Sequence, residues 1–189
     1  MTDAPNTIPD NQQEIRKKGE AAIIRQIAEF LQDERYRFTN LGDDCLELYL
    51  QGKHLTMRMI IYAHNGHLVV RVPEFIRNQN LLFPAFLRTI LTIQGEFFDI
   101  RFELSEDGQS LSACSNHILE DNTITKSQFN QCLTVVAFII DQHYPLFLKV
   151  LYKEHRDAGE PVSEEEKKEV EAAGETPPVS DPPDGHSLN

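Results

Sequence analysis

The sequence predicts an α+β fold: an antiparallel sheet built from hairpins and covered by three helices. Three observations predict it. Apolar residues recur at helical spacing in three separated segments, near residues 11–33, 81–93 and 125–152. Between them, short runs alternate apolar and polar residues, the period of a strand with one buried face. Asn65-Gly66 and Asp107-Gly108 join such runs, and pairs of this kind supply the positive φ angles of tight hairpin turns.

Taken in order, Ile15, Ala22, Ile23, Ile27, Phe30 and Leu31 mark a first amphipathic helix over Asn11–Asp33, with Gly19 its weak point. A short strand at Tyr36–Thr39 precedes Cys45–Leu50, which is bounded by Gly42-Asp43-Asp44 and Gln51-Gly52. His54–Ala63 and Leu68–Val72 form a hairpin through Asn65-Gly66, and Pro73 stops its second strand. A second helix over Leu81–Ile93 has Leu82, Phe86, Leu87, Ile90 and Leu91 as its apolar set. Pro84 belongs in its first turn and Gly95 is placed to end it. Phe97–Leu104 sets Phe98, Ile100, Phe102 and Leu104 on one face, then turns into Ser110–His117. Thr125, with Gln128 three residues on, is a capping box opening the last helix. Phe129, Leu133, Val136, Ile140 and Phe147 make one stripe of that helix. Cys132, Val135, Phe138, Ile139, Leu146, Val150 and Leu151 fill most of the rest, so it should be buried on more than one side. Pro145 should kink or divide it. The full-length elements thus run helix-βββ-helix-ββ-helix.

Composition sets the organisation. The 189 residues suit one domain with its own core. Residues 1–10 read as a disordered lead-in, 11–156 as the α+β domain and 157–189 as an acidic, Pro-rich disordered tail. From Glu154 onward there are 11 acidic and 3 basic residues, whereas the preceding 153 residues carry 19 acids and 15 bases. Most of the net charge of −12 therefore belongs to the tail. Phosphate-backbone binding needs concentrated basic charge, and Arg16-Lys17-Lys18 is too short a cluster, so no nucleic-acid partner is expected. The longest apolar run, Leu133–Ile140, falls short of a membrane span and the N-terminus has no signal-peptide pattern, so no membrane is expected. Three cysteines, Cys45, Cys114 and Cys132, lack CxxC spacing and read as buried thiols in a reducing, cytoplasmic setting.

Candidate chemistry is sparse. His64 and His67 flank the Asn65-Gly66 turn, without an obvious third ligand for a metal. Asp43, Asp44, Glu103, Glu106 and Asp107 offer carboxylates, but the neighbouring glycines favour turn roles. Cys132, Asp141 and His143 suggest a nucleophile, yet Cys132 and His143 are about 16 Å apart along one helix at its standard rise. No serine elbow, P-loop or dinucleotide fingerprint is present. The chain is therefore expected to bind without catalysing, with no cofactor and no metal.

Several segments carry a family resemblance. They are Leu68–Pro73, Leu81–Ile93, Gly95-Glu96-Phe97-Phe98-Asp99, Glu106-Asp107-Gly108, Leu119–Thr125 and Asp141-Gln142-His143-Tyr144-Pro145. Across roughly residues 20–153 the chain resembles the YbjN-like family, bacterial proteins usually labelled sensory transduction regulators, with a type III secretion chaperone-like fold. The resemblance implies an α+β domain that pairs through its long helix, and a protein-binding or regulatory role without chemistry. The family has no agreed catalytic residues to carry over.

The functional expectation is a protein-binding or regulatory module acting as a homodimer on an unidentified protein partner. Its interface residues would be Phe138, Ile139, Leu146, Phe147 and Leu151 of the last helix. The alternative is a small-molecule- or metal-responsive domain using the sheet near Tyr49, Met57, Met59 and Phe102, and a cryptic hydrolase is the third reading.

Overall fold

Hairpin turns set the register of the sheet. Asn65 (φ 53°) and Gly66 (φ 76°) take the two left-handed positions the sequence predicts, pairing His64 with His67. In the computed structural model, residues 10–119, 121 and 123–157 are described. The lead-in expected over 1–10 and the tail expected over 157–189 lie outside them, apart from Asp10 and Asp157.

The elements are α1 (Asp10–Asp33), β1 (Phe38–Asn40), β2 (Cys45–Gln51), β3 (Thr56–His64), β4 (His67–Arg77), α2 (Pro84–Glu96), β5 (Arg101–Leu104), β6 (Ser110–Ile118) and α3 (Lys126–Asp157). The six strands form one antiparallel sheet in the order β1-β2-β3-β4-β6-β5. The α+β class and the helix order match the expectation, and the short strand before Cys45 is real.

Three boundaries differ for physical reasons. Pro73 does not end β4, because a bulge between Val72 and Ile76 absorbs it and the strand runs on to Arg77. Glu74 in that bulge has φ 46°, and its N–H donates to Ser112 Oγ at 3.0 Å. Gly95 lies inside α2, which ends when Phe97 turns extended. The strand expected over Phe97–Leu104 starts only at Arg101, with Phe98 wholly exposed.

The three helices of the described residues all sit on one side of the sheet. α1 packs over β2 and β3, α3 over β4 and β6, and α2 against α3 and beside β5. The core between them holds Ile23, Ile24, Ile27 and Leu31 of α1, Met57, Met59 and Ile61 of β3, and Phe129, Leu133, Val136 and Ile140 of α3. Ile15 and Ala22, counted in the apolar stripe of α1, are exposed, and Ile24 takes the core position instead. On α2 the buried residues are Phe86, Ile90 and Ile93, while Leu91 faces outward; Leu82, counted in its apolar set, precedes the helix and is exposed. Phe147 centres an aromatic cluster with Phe75, Phe86 and Phe102, at centroid distances of 6.1, 5.8 and 5.8 Å.

Pro145 does not divide α3, which runs through it without a break. By length and composition the segment Lys126–Lys153 is long and apolar enough to cross a membrane. Core helices pass the same test, and here α3 supplies the middle of the core.

Candidate functional site

Among the described residues, no helix covers the second face of the sheet. Along β3, Met57, Met59, Ile61 and Ala63 point into the core, so Arg58, Ile60 and Tyr62 point the other way. Register then groups neighbours on that face: Glu47, Ile60, Arg71, Cys114 and Arg101 lie in one row across five strands. Cys45, Tyr62, Val69 and Asn116 make the next row. Tyr49 stands opposite Arg58 and is 60% exposed.

The charges here are paired but not neutralised. Arg58 Nε contacts Glu47 at 2.6 Å, while Arg71 at 2.9 Å and Arg101 at 2.5 Å share the single carboxylate of Glu103. Three guanidiniums thus meet two carboxylates, and each arginine side chain keeps between 39% and 58% of its surface open. A guanidinium has five N–H donors in a fork, so these retain donors for a ligand carboxylate. Hydrogen bonding to their glutamates raises the pKa of Arg58 and of Arg101 further.

Cys114 lies beneath this clasp, 1% exposed, its thiol donating to Glu103 Oε1 at 3.6 Å. Burial, then Glu103, pushes that thiol up. Cys132 lines a small cleft of about 250 Å³ with Asp99, Ser115 and His117, and burial followed by Asp99 raises it too. The Cys45 thiol is raised by burial and then by Asp44 and Glu47. All three cysteines are free, and thiols held protonated are the opposite of activated nucleophiles.

The remaining candidates are placed as follows. Asp141 is a structural anchor: its carboxylate accepts the backbone N–H groups of Lys53 (2.9 Å), His54 (2.8 Å) and Leu55 (3.4 Å). His143 binds the Ile139 carbonyl through Nδ1 and stacks edge-on against Phe97. His64 is exposed and partnered by Asn65, and His67 is exposed; among the described residues no three His, Cys, Asp or Glu side chains converge on a metal position. Asp107 is a turn residue, its carboxyl lowered by the Ser105 hydroxyl and the Gln109 N–H. Glu103, expected in a turn, instead lies in β5 on the open face.

The ligand site expected near Tyr49, Met57, Met59 and Phe102 does not assemble. Tyr49 is on the open face, the two methionines are sealed under the helices, and Phe102 packs on Phe147. The five residues expected at an α3 interface also divide. Ile139 (1%), Phe147 (0%) and Leu151 (4%) are sealed in the chain's own core, whereas Phe138 (61%) and Leu146 (41%) are exposed. α3 is buried on more than one side, as its nearly continuous apolar circumference predicts, because the sheet, α1 and α2 all pack against it.

Sequence reasoning missed Arg58, Arg71 and Arg101. Alternation alone sets Arg58 opposite Met57 and Met59, and Arg71 opposite Val70 and Val72, but only the pairing register brings them into one surface.

No family model and no curated protein matches the chain. Several solved structures are similar to it, and two of them illustrate the likeness. One is YbjN from E. coli, a proposed transcription regulator, with 14% identity and a TM-score of 0.49 over 64% of this chain and 90% of that one. The other is a chain of the heterodimeric ExoU–SpcU complex from the type III secretion system of Pseudomonas aeruginosa, with 13% identity and a TM-score of 0.42 over 65% of this chain and 94% of that one.

Proposed function

We propose that this protein is a non-catalytic, cytoplasmic protein-binding module that works as a homodimer and holds an extended acidic segment of a partner protein on its open sheet face. One observation carries the reading: three helices cover a single side of the sheet, and the other side offers Tyr49, Tyr62, Arg58, Arg71 and Arg101 with unused donors. Aromatic and arginine side chains are the residues that carry binding energy at protein interfaces. Their net positive balance selects an acidic partner. The dimer half is supported by Phe138 and Leu146, large apolar side chains left exposed on α3.

The test has two arms. Sedimentation at micromolar concentration is expected to give a dimer, weakened by Phe138→Ala with Leu146→Ala; a strictly monomeric protein overturns that half. A synthetic acidic peptide is expected to bind, and Tyr49→Ala with Arg58→Ala to abolish binding while leaving the fold intact. Cysteine-dependent turnover of generic esters would overturn the non-catalytic reading.

A further inference from the structure

The open face belongs to a chain that is otherwise strongly acidic, and the acid is concentrated where the chain continues past α3. Residues 158–189 contain nine Asp and Glu against Lys167 and Lys168. Within them, Glu175-Thr176-Pro177-Pro178-Val179-Ser180-Asp181-Pro182-Pro183-Asp184 has three carboxylates, no cation and two proline pairs. We propose that this segment of the chain's own tail occupies the open sheet face, as an internal competitor for the partner. The idea rests on the reading of that face as the binding surface and adds its regulation.

Two complementarities select the segment. Carboxylates at 175, 181 and 184 match the half-exposed guanidiniums of Arg58, Arg71 and Arg101, which among the described residues pair with Glu47 and Glu103. Proline pairs favour an extended, left-handed backbone that packs on aromatic rings, and Tyr49 and Tyr62 stand on the same face. The stretch Glu164–Lys168 is the poorer match, since its lysines offset its acids. Reach is sufficient. Glu175 lies 18 residues beyond Asp157, a span of up to about 60 Å when extended. A domain of this size has a radius of gyration of about 15 Å, so the segment can pass from the helical side to the other face.

The test uses the full chain and a full-length variant with Glu175→Gln, Asp181→Asn and Asp184→Asn. Nuclear magnetic resonance reads the Nε–H signals of Arg58, Arg71 and Arg101 and the rings of Tyr49 and Tyr62. These signals are expected to differ between the two proteins at low salt. They are expected to converge near 1 M salt, where the Debye length is about 3 Å. An acidic peptide added in trans should bind the neutralised variant about tenfold more tightly, because a tethered segment competes at high effective concentration. Identical signals in both proteins overturn the proposal, as does a difference that grows with protein concentration, which would assign the face to the tail of a second copy. Peptide binding to the neutralised variant tests the open face itself, so the two readings fail separately.

Discussion

At Asp141 one carboxylate gathers three backbone N–H groups of the β2–β3 connection and so fixes α3 against the sheet. Removing it strands those donors in a half-buried loop, and Asp141→Ala is expected to cost about 2–4 kcal/mol. Gly52 belongs to the same contact, since a Cβ there would collide with the Asp141 carboxylate. Gly52→Ala alone is expected to cost about 1–3 kcal/mol, and clearly less when Asp141 is already alanine. Urea denaturation of the two single variants and the double variant measures the coupling; additive costs would contradict the contact. Thiols give a second residue-scale outcome. Each thiol is raised by burial, so above about pH 9 the unfolded chain loses its thiol protons before the folded chain does. Their contribution is complete below that pH and declines as pH rises through the folded values. The urea midpoint is therefore expected to fall less steeply from pH 8 to 10 in a Cys114→Ala, Cys132→Ala protein than in the native one. Parallel declines would contradict it.

Among the elements, α3 separates two kinds of apolar residue that its sequence mixes. Phe147 touches aromatic rings from β4, α2 and β5, so Phe147→Ala should destabilise the fold by about 3–5 kcal/mol. Phe138 is 61% exposed, and Phe138→Ala should weaken self-association while leaving stability within about 0.5 kcal/mol when both proteins are diluted to monomer. Thermal unfolding beside sedimentation distinguishes them; equal losses of stability would contradict the assignment. The elements also show why boundaries were less legible than identities. Pro73 reads as a stop in isolation, yet β4 passes it because a bulge needs no N–H from that residue. Phe98 fits the alternation of Phe102 and Leu104, but the chain leaving α2 has not yet joined the sheet at that point.

For the whole molecule, a one-sided sheet and a charged continuation of the chain define the behaviour. The proposed homodimer through α3 would make stability depend on mass action, so the melting temperature is expected to rise with protein concentration. A melting temperature unchanged over a hundredfold dilution would contradict the dimer. Charge acts at this scale too. The described domain is nearly balanced, whereas the continuation past Glu154 carries most of the net −12. Salt is therefore expected to alter the open arginine face more than the core, which is held by apolar burial.

The sequence by itself determined the element order, the two hairpin turns and the capping box at Thr125. These follow from local chemistry: side-chain periodicity, positive-φ residues and the reciprocal bonds of Thr125 N–H to Gln128 Oε1 (2.9 Å) and Gln128 N–H to Thr125 Oγ1 (3.2 Å). Tertiary structure alone decided which apolar residues of α3 stay outside, because that depends on where α1 and α2 settle beside it. It also decided that Arg58, Arg71 and Arg101 share one surface, since they come from three strands whose alignment is set by pairing register, a property of no single segment.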